Sequence, residues 1–435
     1  MHERFCYKTK DDLLKKAGNL GLELPFSDDI SPLLQPASLE GFMIANRLVV
    51  QPMEGYDSEV DGSPSALTKR RYLRYADGGS GIIWFEAVSV SSDGRSNPRQ
   101  LWINSSNISV FKALNEKLRS TAKKHGINPL LVIQLTHSGR YSKPDGISYP
   151  QVAFLNDTLD KVVPHILTDS ELKAIQDQYV ESAKYAAEAG FDAIDLKACH
   201  GYLMIETLAA RTRLNSIYGG NDPKERFRFF LETIDRIKTE VPGIMLTTRL
   251  NISDLYIGGF GVTEDGSTDF TEPLLLVEQL EKRGIRLINI SMGSPYYNPH
   301  VTRPYDNTLP GQTVPDEHPM AGVTKMIRGT ALFQKKFPEL FFIGSAYSWL
   351  RQFAPNVGAA VLKTGGAAFI GFGRGSFAYP SMPLDLIKNG RADPARVCIA
   401  CSGCTRLIRN LRPGGCVIRD KEIYGNELKK LISGK

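Results

Sequence analysis

No apolar run in these 435 residues reaches the 18 or so positions that a membrane-spanning helix needs. The first residues, MHERFCYKTKDDLLKK, are charged throughout and lack the apolar core of a signal segment, so a cytoplasmic chain without membrane contact is expected. A marked excess of charge of one sign is lacking as well. Fifty-three basic and 47 acidic side chains leave a net charge of +6, scattered rather than blocked. The longest basic cluster, Lys69-Arg70-Arg71, lies at the start of a predicted helix and is expected to be a solvated face. No nucleic-acid partner is therefore expected. No repeat of fixed period is visible. Cysteine is sparse, at six, and unevenly placed. Cys6 and Cys199 stand alone, whereas Cys398, Cys401, Cys404 and Cys416 fall within 19 residues. In a cytosolic chain such crowding points to metal or redox use rather than a disulfide framework.

A chain of this length, 42% hydrophobic, can bury a large core. Eight short apolar runs alternate with helical stretches: Leu48–Gln51, Gly81–Phe85, Leu130–Leu135, Phe191–Leu196, Ile244–Leu250, Leu287–Ile290, Phe341–Gly344 and Ala367–Gly371. Continuous rather than alternating apolar character suits parallel strands covered on both faces. Helices are predicted over Asp169–Ala189, Pro223–Glu240 and Phe270–Arg283. Thr168 and Glu171 form a capping box before the first of these, and Gly190 follows its last turn. Eight repeats in this order predict an α/β fold, a (β/α)₈ TIM barrel over residues 38–390. Residues 1–37 form an N-terminal arm with a short helix near Asp11–Ala17, and residues 391–435 form a cysteine-rich extension. The Pro- and Tyr-rich stretch 291–320 is expected to be a functional loop on the catalytic face.

Lys197, Cys199, His200 and Tyr202 arrive together where the fourth apolar run stops, and a core has no use for such a cluster. Polar groups at the C-terminal end of a barrel strand are where these folds keep their chemistry. Arg249 ends the fifth run, and a buried Arg needs an anionic partner. Gly344-Ser345 and Gly371-Phe372-Gly373-Arg374 end runs seven and eight, the position of backbone phosphate sites in barrels. The Gly371-x-Gly373-x-Gly375 spacing is not a dinucleotide fingerprint, because Phe377-Ala378-Tyr379-Pro380 follows where a long helix is required.

The segment FDAIDLKACHGYL, followed by Tyr218-Gly219-Gly220 and Glu225-Arg226-Phe227, resembles the active-site strand of the Old Yellow Enzyme family. So do Asn46-Arg47-Leu48-Val49-Val50-Gln51-Pro52-Met53 and Gln134-Leu135-Thr136-His137-Ser138-Gly139-Arg140. The resemblance runs over roughly residues 32 to 420. It implies bound FMN, with NADH or NADPH as donor, and hydride passing from the flavin to an alkene conjugated to a carbonyl. Pro52, Met53 and Ala87 are then expected against the flavin, Gln134 at its pyrimidine edge, and Arg249 near N1 and O2. Gly344, Ser345, Gly373 and Arg374 are expected at the phosphate. For Arg249 a buried ion pair with Asp195 or Glu86 is the alternative. Glu54 stands where the family commonly has Thr or Cys. Either it lies beside the flavin and disfavours reduction, or it points away and pairs with a base.

The family's carbonyl-gripping pair, His-x-x-His or His-x-x-Asn, reads Lys197-x-x-His200 here. An ammonium still supplies a donor and positive charge. Tyr202 matches the position that protonates the α-carbon in some members, and Tyr56 offers a second phenol; a packed core tyrosine is the plainer reading of Tyr202.

The tail Cys398-x₂-Cys401-x₂-Cys404-x₁₁-Cys416 is similar to that of the 2,4-dienoyl-CoA reductase and trimethylamine dehydrogenase branch, one residue shorter between the second and third cysteines. That likeness implies a [4Fe–4S] cluster on these four residues, with structural zinc or free thiols as alternatives. The branch's dinucleotide-binding half is not expected, since the sequence given ends 19 residues beyond Cys416. Expected partners are a small unsaturated carbonyl substrate, a second copy of the chain, and an electron-transfer protein if the cluster is present. Amine or alcohol dehydrogenation through the cluster, a non-redox barrel with zinc, and a flavin-holding sensor remain open.

Overall fold

The computed structural model describes residues 2–434. Eight parallel strands close into a barrel: β1 (Leu48–Val50), β2 (Ile82–Ser89), β3 (Leu130–Thr136), β4 (Ala193–Leu196), β5 (Met245–Asn251), β6 (Leu287–Ser291), β7 (Phe341–Gly344) and β8 (Phe369–Phe372). Each strand pairs with the next, and β8 returns to β1 through Ile370 opposite Leu48. The expected TIM barrel is therefore the fold. Each strand is followed by a helix, in order α1 (Ala66–Ala76), α2 (Ile108–Lys123), α3 (Asp169–Glu188), α4 (Pro223–Glu240), α5 (Thr271–Lys282), α6 (Pro319–Lys336), α7 (Ala354–Lys363) and α8 (Met382–Asn389). The Thr168/Glu171 capping box forms as the sequence predicts. α4 has the expected bounds, and the other two predicted helices lose a residue at one or both ends.

Val49, Ile82, Trp84, Leu130, Val132, Ala193, Leu287, Ile343 and Phe369 fill the lower barrel. A hairpin of Ala37–Leu39 and Phe42–Ile44 adds Leu39 and Ile44 to that cluster. Branched and aromatic side chains leave the barrel interior packed, so chemistry is confined to the other end. β2 runs on to Ser89, four residues beyond its apolar run, with an irregularity between Trp84 and Ala87. That extension brings Glu86 and Ala87 into the upper barrel. In the N-terminal arm the helix spans Lys10–Asn19, and Phe5, Tyr7 and Leu13 pack in one cluster with Trp349 and Leu350.

The basic cluster on α1 departs from expectation. Arg71 is buried and pairs with Asp57 and Glu86, while Arg70 and Arg74 grip Asp420 of the cysteine segment. A solvated face is the wrong description: two of the three residues in Lys69-Arg70-Arg71 are structural. Composition alone does not say which face of a helix meets buried carboxylates.

Candidate active site

One pocket gathers residues from the C-terminal ends of the strands. Gln51, Pro52, Met53, Glu54 and Tyr56 follow β1; Ala87 and Gln134 lie on β2 and β3; Lys197, His200 and Tyr202 follow β4. Arg249 comes from β5, and Ser345, Gly373 and Arg374 follow β7 and β8. Gly344 alone among the expected positions does not line the pocket. It packs behind it, where an added Cβ would meet the Tyr347 hydroxyl at 2.7 Å.

The bed of the pocket is polar and tightly bonded. Asp195 accepts from the Gln134 amide at 2.6 Å, the Trp84 indole at 2.7 Å and the Arg249 backbone N–H at 2.6 Å. Burial nevertheless raises its pKa to about 6. The Arg249 guanidinium pairs with neither Asp195 nor Glu86. It donates to Gln51 and, at 2.9 Å, to Asn289, and its buried Nε has no partner. Burial lowers its pKa from the ordinary arginine value. A buried cation with an unused donor and no anion calls for an acceptor that gains negative charge.

The strand-eight end shows the same unfinished bonding. Arg374 donates Nη2 to the Pro304 carbonyl at 2.6 Å, while its Nη1 is buried without a partner. A Cβ on Gly371 would meet the Gln51 amide at 2.0 Å, and one on Gly373 would meet the Met53 sulfur at 2.9 Å. Neither position has room for a side chain beside Gln51 and Met53, so bare backbone lines the pocket there. Ala346 lies in the left-handed region at φ 74°, strain held in the turn after Ser345. Orphaned donors on Arg249 and Arg374 and the glycine-lined cradle fit a flavin mononucleotide.

On the β4 side, Glu54 pairs with a base while still lining the pocket. One of its oxygens accepts from the Tyr202 hydroxyl at 2.9 Å and lies 3.5 Å from the Lys197 ammonium. Ser96 donates to the other at 3.3 Å. The Lys197 ammonium also sits 3.3 Å over the Tyr202 ring. Burial, with Glu54 and Tyr296 nearby, pushes the Tyr202 phenol well above the usual range, so it keeps its proton. Burial does the same at Tyr56. His200 adopts φ 66°, and its Nε2 lies 2.9 Å from the Ser291 hydroxyl. Burial, with Arg249 and Lys197 near, holds its pKa well below 6.5, so the ring is neutral.

Other lining residues carried no sequence expectation of a role. Gln51 ends a predicted strand. Tyr296 and Arg303 lie in the 291–320 loop, whose composition and place did mark it as functional. Thr405, Ile408 and Arg409 come from the helix Gly403–Arg409 in the cysteine segment, and no spacing pointed to them.

Cys398, Cys401, Cys404 and Cys416 line one small pocket together with Arg374. Backbone N–H groups of Ala400 and Arg419 each point at a cysteine sulfur, on Cys398 and Cys416, at 3.4 Å. Ala400 and Ser402 take left-handed φ angles of 51° and 60° to make this turn. Among the described residues no three His, Cys, Asp or Glu side chains stand close enough to share a single metal ion.

A family model described as NADH:flavin oxidoreductase / NADH oxidase matches residues 32–312. The chain belongs to this family. Membership brings FMN as cofactor and NADH or NADPH as its redox partner, and makes the protein an oxidoreductase. An NADPH dehydrogenase of Bacillus velezensis is 31% identical over 264 residues, covering 60% of this chain and 73% of its own. Among solved structures, a 2-naphthoyl-CoA reductase with 2-naphthoyl-CoA superposes with a TM-score of 0.73 at 18% identity. It covers 92% of this chain, which spans only 58% of that longer one. An old yellow enzyme homologue from Zymomonas mobilis gives 0.62 at 19% identity, covering 82% and 92% of the two chains. At those identities the two structures speak to the fold. Among the described residues no helix is long and apolar enough to cross a membrane.

Proposed function

We propose that the protein is an ene-reductase, reducing an alkene conjugated to a carbonyl at the expense of NADH or NADPH. One observation carries the reading: a cationic donor, a neutral imidazole and a protonated phenol converge in the same pocket as the flavin cradle. Bound there, FMN supplies the hydride. Gly371, Gly373 and Arg374 hold its phosphate, and Gln134 and Arg249 hold its pyrimidine edge. Lys197 and His200 draw the substrate carbonyl oxygen between them and stabilise the negative charge that develops on it. Tyr202 gives its proton to the α-carbon, with Tyr56 as the second phenol within the pocket. Hydride on the β-carbon and proton on the α-carbon complete a saturated carbonyl product.

The four cysteines are read as ligands of a [4Fe–4S] cluster. Their common pocket and the backbone N–H groups aimed at two of the sulfurs support this reading. Arg374 lines both pockets, so the flavin phosphate and the cluster would share a neighbour.

The test is direct. The anaerobically purified holoenzyme is reduced with NADPH or NADH and then mixed with cyclohex-2-enone. Reoxidation of the flavin with formation of cyclohexanone is expected. A reduced flavin that enones and enoates leave reduced, but that passes electrons to an acceptor dye, would overturn the reading in favour of a dehydrogenase.

A further inference from the structure

Four arginines line the active-site pocket, and among the described residues none forms an ion pair with a carboxylate. Lys197 is a fifth cation, and Glu54, already engaged by Lys197 and Tyr202, is the one acidic side chain of the lining. Five cations against one carboxylate leave four positive charges. A flavin phosphate brings about two negative charges. Arg374 and its neighbour Arg303, whose pKa burial and Arg374 lower to about 9, answer those two. Arg249 answers the charge that arrives on reduction. Arg409 does not line the cysteine pocket and, among the described residues, forms no ion pair with a carboxylate.

Its placement is not that of an idle surface arginine. Arg409 closes the helix Gly403–Arg409 at the exposed mouth of the pocket. Its guanidinium lies 4.0 Å over the Tyr296 ring, and that ring stacks on Tyr141 at 3.7 Å with 13° between planes. Nη2 donates to the Pro295 carbonyl at 2.7 Å, which fixes the planar fork in place. A fixed guanidinium fork matches a carboxylate with two parallel hydrogen bonds, as an ammonium does not.

We propose that Arg409 is a specificity residue for an acidic substrate: an unsaturated carbonyl compound with a carboxylate remote from its alkene. The alkene half of this statement rests on the ene-reductase reading; the carboxylate half rests on the charge of the pocket. The alkene lies at Lys197, His200 and Tyr202, and the carboxylate reaches out to the rim beside Tyr296. Rim charges act mainly through encounter and are screened by salt.

The experiment compares 4-(3-oxobut-1-enyl)benzoate with its methyl ester on the oxidised holoenzyme, reading Kd from the perturbation of the flavin absorption spectrum. The acid should bind about tenfold more tightly at low salt, and the ratio should shrink as NaCl is added. Arg409→Gln should bring the ratio close to one, with Arg409→Lys between. Flavin content and the melting transition report whether each variant is folded; if neither folds, the salt dependence of the wild-type ratio decides. Equal affinity for acid and ester, or an acid preference that survives in folded Arg409→Gln, overturns the proposal. An acid that binds preferentially and is not reduced supports the anion site and counts against the ene-reductase reading.

Discussion

The Glu54 carboxylate joins the Tyr202 hydroxyl to the Lys197 ammonium through a single oxygen, at 2.9 Å and 3.5 Å. The proton donor and the carbonyl activator of the proposed reaction are thereby held by one residue from a different strand end. If the three work as a unit, their losses overlap rather than add. Tyr202→Phe should slow substrate reduction by roughly 10–1000-fold, with a smaller effect on flavin reduction. Glu54→Gln should cost less, and the double variant should be no slower than Tyr202→Phe by more than a few-fold. Stopped-flow measurement of the two half-reactions separates these cases. Independent, multiplicative effects would show that Glu54 merely occupies the space.

Burial holds His137 at a pKa of about 4, with Asp93 opposing the shift. Its Nδ1 accepts from the Gly139 N–H at 3.2 Å, and its Nε2 is buried without a partner. In the unfolded chain the ring titrates at its ordinary 6.5. Between those values the unfolded state binds a proton that the native state refuses, so the stability from His137 is present above 6.5 and is lost as pH falls toward 4. The loss between pH 7 and pH 5 is about 2 kcal/mol. Asp195 and Glu206, raised by burial to about 6 and about 7, act with the opposite sign, since their contribution is lost as pH rises. The difference between wild type and His137→Asn isolates the histidine. Urea unfolding at pH 7 and pH 5 should show the variant losing less stability on acidification. Parallel losses in the two proteins would remove His137 from the account.

Much of this was written in the sequence. The eight apolar runs marked the barrel strands to within a few residues, because strands covered on both faces carry no alternation to misread. Lys197, His200 and Tyr202 stood out because they end such a run. What sequence spacing could not show was contact between distant segments. Arg409 is 212 positions from Lys197, and only the return of the cysteine segment over the barrel mouth sets both in one pocket. Arg71 was misread for the converse reason: its carboxylate partners lie 14 and 15 residues away, on another loop and on β2. A basic triplet looks alike whether it meets water or buried acids.

The cysteine segment yields a compositional prediction. Purified without oxygen, the protein should contain about four iron and four acid-labile sulfide per chain, the content of one such cluster. Cys401→Ser should lower iron while leaving flavin bound. It should also loosen the helix Gly403–Arg409, which starts from the cysteine turn, and so weaken the acid preference expected of Arg409. Elemental analysis giving about one zinc and no iron would replace the cluster with a structural site.

The loop that carries Glu54 and Tyr56 is pinned from below by a buried charge network. Arg71 donates to Asp57 and Glu86, and Glu86 in turn accepts from the Gly55 N–H at 2.6 Å. Gly55 has no room for a side chain, since a Cβ there would meet the Arg71 guanidinium at 2.3 Å or less. Burial raises the pKa of Glu86 to about 7 even with Arg71 beside it, so this carboxylate has little margin. Removing Arg71 leaves Asp57 and Glu86 buried without their cation. Arg71→Met should therefore cost about 3–5 kcal/mol of stability, the penalty of breaking a buried pair from one side. Gly55→Ala should push the guanidinium off its two acids, costing stability as well, and should also disturb the Glu54–Tyr202 contact and so lower turnover. Equilibrium urea unfolding and steady-state kinetics on both variants give the comparison. A loss below about 1 kcal/mol for Arg71→Met would mean that water reaches the site and solvates the two acids, and the network would then not be what holds Glu54 against Tyr202.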